Sequence, residues 1–333
     1  MSVQVQVARS AHVPAMAALV AGRVRRLRVA HPDVPATFEA SPAVQEVLAP
    51  LVTAGQAVVA MAGDEVVGHL AWQELPTFRR AARRAAYVPE YGNAVAHPTD
   101  ALREALLAGA AQLWDLSGRQ VVSVTELHDG IDVGNVDRDS DDGSTVGAHQ
   151  HWVRNGFGCF LHDAVRACTP IHAPLPAGVH IRPATAGDLV ALVALDREHC
   201  AHYSRPPVFM VPPEPADAAE LARLLAHDPT SVWLAITSSG PQAFIRAEVG
   251  AHDTSQLLQG PDSVVVNGVY VRPSLRTAGV GAALLDAVLC DHQRRGTARL
   301  ILDYETINPP ARRFWPRHTT AVTTGYWRVL ERC

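Results

Sequence analysis

The sequence contains no lysine: all 29 of its basic residues are arginine. That absence removes Schiff-base chemistry on a lysine amine and the phosphate-cradling lysine of a Walker-type loop. Cysteine is sparse. The five cysteines stand at 159, 168, 200, 290 and 333, an odd number with no Cys-x-x-Cys pair. Neither a disulfide framework nor a structural metal site is expected from that pattern. No run of 18 apolar residues occurs, and the first residues lack the apolar core of a signal peptide. A soluble cytoplasmic chain with no membrane partner is the expectation. Charge is not one-sided either. The formal net charge is -4, which gives no reason to expect nucleic acid as a partner.

What is present is apolar enough to fold. Hydrophobic residues make up 48% and charged residues 19% of 333 positions, and that length suggests two domains at roughly 150 residues each. Residues 169–179 carry Pro170, Pro174 and Pro176, which disfavour helix and central strand and read as a linker. The two stretches it separates open alike, each with a short strand, a polar turn and an apolar helix. Both continue with a hairpin: 56–62 with 65–72 in the first half, 232–238 with 242–249 in the second. The first half adds a helix at about 99–116 and a strand at 120–127. The expected organisation is two divergent copies of one α/β unit.

The second copy carries the more informative segment. Val269, Tyr270 and Val271 form the end of an apolar strand. Pro273 and the run Arg276, Thr277, Ala278, Gly279, Val280, Gly281 follow, and then Ala282-Ala283-Leu284-Leu285 opens a helix. A strand, glycine turn and helix start together present unpaired backbone N–H groups at the positive end of a helix dipole, where a diphosphate is the natural guest. Further on, a strand ends in Asp303, Tyr304 and Glu305. Asn308, Ala311 and Phe314 then sit on a helix with prolines at its start.

The run 276–281 resembles the Gln/Arg-x-x-Gly-x-Gly/Ala motif of the GNAT superfamily, the acyl-CoA-dependent N-acyltransferases. Asn308, Ala311 and Phe314 resemble that family's Asn-x-x-Ala-x-x-aromatic ending. The resemblance implies an α/β fold (α+β mixed sheet) in which two tandem units each hold a mixed, mostly antiparallel sheet flanked by helices. It implies residues 1–170 as a degenerate GNAT-like domain, because 91–100 lacks the glycine loop, with 171–179 as linker and 180–333 as the acyltransferase domain. Acetyl-CoA is the implied co-substrate. Val269, Tyr270, Val271, Arg276, Thr277, Ala278, Gly279, Val280, Gly281, Ala282, Asn308, Ala311 and Phe314 are the residues the resemblance places against it. The acceptor is a small-molecule amine or a peptide N-terminus, and the chain is a monomer or homodimer.

Direct attack by the amine needs a group that takes its proton, and a carboxylate can serve. Asp303 and Glu305, two apart on one strand and so on one face, are candidates, and Glu248 is a third. Trp315 stands where the family often has a tyrosine that protonates the leaving thiolate. An indole N–H donates hydrogen bonds but is no useful acid, so Tyr304 or Tyr326, water, or no acid at all takes that step. Two other functions fit the same pattern: acetylation of a sugar amine in the manner of mycothiol synthase, also a tandem GNAT protein, and an inactive acyl-CoA-binding sensor or scaffold.

Other clusters are read as structural. Residues 137–143 are acidic, but the glycine falls one position late for a calcium loop and no glutamate closes it, so no metal is expected there. His128, His149, His151 and His162 lack tight metal-ligand spacing apart from His149-x-His151, so no metal is expected there. The arginine runs 23–28 and 79–84 read as solvated helix faces, with a docking face for an acidic partner as the alternative.

Overall fold

A computed structural model describes residues 3–129, 147–250 and 255–330; the acidic run 137–143 lies outside the described residues. The first half runs β1 (Gln4–Val7), α1 (Val13–Ala30), α2 (Ser41–Thr53), β2 (Ala57–Ala62), β3 (Glu65–Ala71), β4 (Gln73–Leu75), β5 (Ala85–Val88), β6 (Asn93–Val95), α3 (Asp100–Leu116), β7 (Val121–Leu127), α4 (Ala148–Arg154) and β8 (Gly158–Ala167). The second half runs β9 (His180–Pro183), α5 (Leu189–Ser204), α6 (Ala218–His227), β10 (Val232–Thr237), β11 (Gly240–Val249), β12 (Ser263–Val271), α7 (Val280–Arg294), β13 (Arg299–Glu305), α8 (Pro309–Phe314), β14 (Thr320–Ala321) and β15 (Thr323–Val329).

Local sequence accounts for these elements. In α1, Val13, Met16, Ala17, Val20, Val24 and Leu27 are buried at three- and four-residue spacing, the mark of a helix with one face in a core. Thr99 caps α3, its hydroxyl accepting the Leu102 N–H at 3.4 Å. The β2–β3 hairpin turns at Gly63, whose φ of +63° suits a residue without Cβ.

The sheets do not divide at the linker. Strands β1, β2, β3 and β6 form a four-stranded sheet. The larger sheet, eleven-stranded among the described residues, has the order β4-β5-β7-β15-β8-β13-β12-β11-β10-β9, with β14 on β8. Strand β15, from the end of the chain, lies between β7 and β8 of the first half. Strand β8 in turn pairs with β13 of the second half from Arg299↔Ala167 to Glu305↔Leu161. Each half thus gives its last strand to the other. The mixed, mostly antiparallel sheets expected of the two units are present, and the larger one crosses both halves because the terminal strands pair reciprocally.

The cores follow the sheet. One cluster joins Val20, Val24 and Leu27 of α1 and Val44 and Leu48 of α2 to Val165, Val265 and Ile301. Helices of the first half therefore cover strands of the second. Glu90 adds a polar tie, its carboxylate accepting the buried Leu257 N–H at 2.7 Å. On β10–β12, Ala243, Ile245, Val264 and Val266 pack towards α7, while Leu234, Phe244 and Tyr270 pack towards α5 and α6. The alternation of a strand's side chains puts helices on both faces.

Both arginine runs are placed differently from the expectation. Arg23 is buried on α1. Its guanidinium pairs with Glu126 at 2.5 Å and Asp129 at 3.1 Å and donates to the carbonyls of Asn93 and Leu127. Arg26 joins Asp129 at 2.8 Å, and Arg28 joins Glu39 at 2.8 Å. The run is thus a set of ion pairs, since two carboxylates buried near β7 require a cation from the facing helix. In the second run, residues 78–81 make a two-residue turn with reciprocal backbone hydrogen bonds between Phe78 and Ala81, at 3.1 and 2.9 Å. Arg79 and Arg80 occupy its centre at φ +44° and +65°. That left-handed pair is normally Asn-Gly, and it costs other residues about 1–2 kcal/mol each. Packing holds it: Phe78 stacks on Trp327 of β15 at 5.6 Å and meets Phe160 of β8 edge-on.

Candidate active site

Where β12 and β13 part, the sheet opens. They pair in parallel only from Ser263↔Arg299 to Val266↔Leu302. Beyond that point β12 stays with β11 as far as Val271, and β13 stays with β8 as far as Glu305. The gap leads into a cleft of about 1070 Å³ that reaches both faces of the sheet. A cleft of that size accommodates a large cofactor-sized molecule.

On the α7 face the glycine run forms one wall. Pro273–Leu275 makes a single 3-10 turn with proline at its start, and the chain then passes through Thr277 at φ +66° and Gly279 at φ +86° into α7. The first helical hydrogen bond joins the Ala283 N–H to the Gly279 carbonyl at 3.0 Å. Among the described residues, no acceptor engages the N–H groups from 277 to 282. They are the orphan donors of a helix start, with the positive end of its dipole behind them. Residues 277–279 are exposed, so the loop is open and not walled off.

The two glycines have different reasons. Gly279 holds a left-handed N-cap, which favours a residue without Cβ. At Gly281 an added Cβ would lie 3.3 Å from the Phe314 ring, so this glycine lets α8 close against α7. Arg276 folds back, its Nε donating to the Val271 carbonyl at 2.9 Å and its guanidinium lying 5.7 Å from the Tyr270 ring.

The other predicted residues distribute as follows. Val269, Tyr270 and Val271 line the gap, as do Arg276, Thr277, Gly279, Val280, Gly281 and Ala282; Ala278 is exposed between them. Asn308, Ala311 and Phe314 line the same cleft. Asn308 caps α8 through its carbonyl, which accepts the Arg312 N–H at 2.9 Å, and its side-chain oxygen lies 3.3 Å from Nε2 of His202. Asp303 and Glu305 both reach the cleft. Glu248 is not brought there. It lies beyond the bulge at Arg246/Ala247, where its carboxylate accepts from Asn267 at 2.5 Å and stands 3.4 Å from Arg246. Trp315 is buried against the α7 core at the cleft edge. Tyr304 lines the cleft, whereas Tyr326 hydrogen-bonds His149 at 2.9 Å within the first half's core, away from it.

Asp303 has the electrostatics of a base. Burial, then the neighbouring Glu305 and Asp163 carboxylates, push its pKa up to about 7 against the partial opposition of Arg79. Asp163 faces it directly across the β13–β8 pair, so the exchanged strand supplies part of that shift. Burial and the cross-strand carboxylate both disfavour a second negative charge.

Several cleft residues had no motif to announce them. Arg79 and Arg80 enter from the first half. His199, His202 and Tyr203 enter from α5, and Arg313 and Arg317 stand near α8. Helical spacing of 199, 202 and 203 was a weak signal; the arginine run 79–84 stood out in the sequence, but nothing local marked it as a turn entering the cleft. Among the described residues, Asp196, His199 and Cys200 hold their ligand atoms within 4.8 Å of one another. Asp196 is already engaged there, accepting the Ala216 N–H at 2.7 Å, which ties the loop before α6 to α5.

The first half has a corresponding strand divergence, and it is filled. Strand β5 pairs in parallel with β7 up to Val88↔Val124, and β6 then turns away to β3. Arg23 enters that space, and the Asn93 amide crosses it to the Thr125 carbonyl at 2.8 Å. The cavity left there is about 20 Å³, room for a single water against the 1070 Å³ of the second half.

Comparison with known proteins agrees with this architecture. Residues 197–319 match the model of the acetyltransferase (GNAT) family. No curated protein matches the chain. Among solved structures it is similar to a GCN5-related N-acetyltransferase from Sphaerobacter thermophilus, at a TM-score of 0.54 and 18% identity over 98% of this chain and 95% of that one. It is also similar to a tandem GNAT protein from the clavulanic acid biosynthesis pathway, at a TM-score of 0.48 and 14% identity over 100% of both chains. The glycine loop and the parted strands both fall within the stretch that matches the GNAT family, residues 197–319, and the chain as a whole shares the fold of a GCN5-related N-acetyltransferase.

Proposed function

We propose that the cleft transfers an acetyl group from acetyl-CoA to a primary amine by direct attack in a ternary complex. The carrying observation is the set of unengaged N–H groups from 277 to 282 at the mouth of a gap between two parted strands. Those donors suit the pyrophosphate, and Arg313 and Arg317, which line the same cleft, are available to further phosphate charge. The pantetheine arm would extend along the unpaired edge of β12 at 267–271, where a backbone N–H can meet the thioester carbonyl as negative charge develops on its oxygen.

The acceptor enters from the α5 side. Asp303, with its pKa raised to about 7, takes the proton as the amine nitrogen bonds to the carbonyl carbon. The carbon–sulfur bond then breaks and the CoA thiolate leaves. It leaves without a dedicated acid, because a thiol is already a fair leaving group near neutral pH and the Trp315 indole supplies no proton. No cysteine lies in the 269–282 or 303–314 segments, so no acyl-enzyme is invoked. The first half binds no coenzyme in this reading, since Arg23 occupies the corresponding space.

The test is thiol release from acetyl-CoA in the presence of a panel of amines. Release that depends on the amine is the expected result. Release without amine would make the protein a hydrolase. Thermal stabilisation by CoA with no release would make it a binder.

A further inference from the structure

The first half has closed its own coenzyme space, yet it sends one turn into the cleft of the second. That turn is Phe78–Ala81, and its two central residues are both arginines in a left-handed conformation that side chains other than Gly and Asn rarely adopt. Backbone held in so unfavourable a conformation by surrounding packing clusters at active sites and ligand clamps.

The packing fixes where the guanidinium groups go. Phe78 is wedged between Trp327 and Phe160, on the two exchanged strands. The Arg79 guanidinium lies 4.8 Å over the Phe160 ring, and one of its amino groups pairs with Glu305 at 3.2 Å. Its Nε is buried with no hydrogen-bond partner. Arg80 is exposed, lines the cleft, and makes no ion pair among the described residues. Both line the cleft with Tyr203, Asp303 and Glu305, and the two cations and the two carboxylates all act electrostatically on the Tyr203 hydroxyl.

We infer that the turn Phe78–Ala81 is an acceptor-recognition element, and that the acceptor is an amine that also carries an anionic group, a carboxylate or a phosphate. The inference rests on the transferase reading of the cleft. One buried Nε donor without an acceptor and one free guanidinium fork are what a planar oxyanion satisfies. Glu305 holds Arg79 in place, so Arg80 carries most of the unsatisfied positive charge. The amine end of such a molecule is left to face Asp303. The divergent first half thereby selects the substrate while the second half performs the transfer.

The experiment compares matched pairs of amines as acceptors with acetyl-CoA: an α-amino acid against its amide, and an aminoalkyl phosphate against the corresponding amino alcohol. The wild-type protein is measured beside Arg80→Gly, Arg80→Glu and Arg80→Lys, and CoA binding is measured separately by calorimetry. The expected result is at least a tenfold preference in kcat/KM for the anionic member of one pair. The pair that shows it distinguishes carboxylate from phosphate. The preference should collapse towards unity in Arg80→Gly, invert in Arg80→Glu and partly return in Arg80→Lys. Arg80→Gly should also melt at a higher temperature than the wild type, because glycine accepts the left-handed backbone that arginine resists. A wild-type enzyme that transfers equally to both members, or a preference that survives in Arg80→Gly, would overturn the inference and leave the transferase reading standing. CoA binding with no transfer to any amine would overturn the transferase reading, and this inference with it.

Discussion

At the scale of single residues, charge burial decides most of what is distinctive. Arg23 is held in the first half by Glu126, Asp129 and two carbonyls. Burial alone would lower its pKa, but Glu126 and Asp129 outweigh that and raise it. Arg23→Met should therefore cost about 3–5 kcal/mol, because it strands two buried carboxylates. Urea unfolding measures this, and Glu126→Gln in the same chain should recover part of the loss. Asp303 is the opposite case, an acid whose folded pKa of about 7 lies above its unfolded value. The folded chain holds that proton more tightly than the unfolded one. Its contribution is fully present at low pH and is lost as the pH rises from about 4 towards 7. Asp303→Asn should melt higher than the wild type above pH 7 while losing roughly 10²–10⁴-fold in rate. The wild-type kcat/KM should climb through about pH 7 to a plateau. A flat profile between pH 5 and 9 would remove Asp303 from the role of base.

Among elements, α7 is the one whose sequence spoke most clearly. Its glycine start, apolar stripe and preceding strand were legible because each follows from local geometry: a left-handed cap at Gly279, orphan donors, and buried Val280, Leu284 and Val288 on one face. The hairpins and the α8 prolines were legible for the same reason. What stayed hidden was long-range. The reason for Gly281 is Phe314, more than 30 residues away. The pairing of Asp303 with Asp163 is set by strand register, which no local pattern encodes. Arginine at near-helical spacing in 79–84 imitated a helix face, and only contact with Trp327 and Phe160 fixes it as a turn. Gly281→Val tests the α7–α8 contact. The new side chain must displace the Phe314 ring, so CoA affinity measured by calorimetry should fall at least tenfold. The melting temperature should drop only modestly, since the site lies at the helix end. Unchanged affinity would separate this loop from the diphosphate.

For the whole molecule, the reciprocal exchange of β8 and β15 makes the halves interdependent. Cut at the linker, the second half would lose β8 from the flank of β13 and both neighbours of β15. Val265 and Ile301 would lose the α1 and α2 cover. Expressed alone, residues 1–170 and 171–333 should each be insoluble or lack cooperative unfolding, whereas the two fragments produced together should associate. The intact chain should unfold in one transition by circular dichroism and by tryptophan fluorescence. A soluble, CoA-binding fragment 171–333 would show that the seam is dispensable.

The exchange also has a bearing on biosynthesis. During translation the ribosome delivers β7 some 200 residues before the strand that will flank it. Until β15 emerges, the nascent first half exposes an unsatisfied edge beside Trp152 and Phe157, and that edge can capture another chain. Yield in a heterologous host should therefore depend on holding chaperones and on slow elongation more than the stability of the finished protein would suggest.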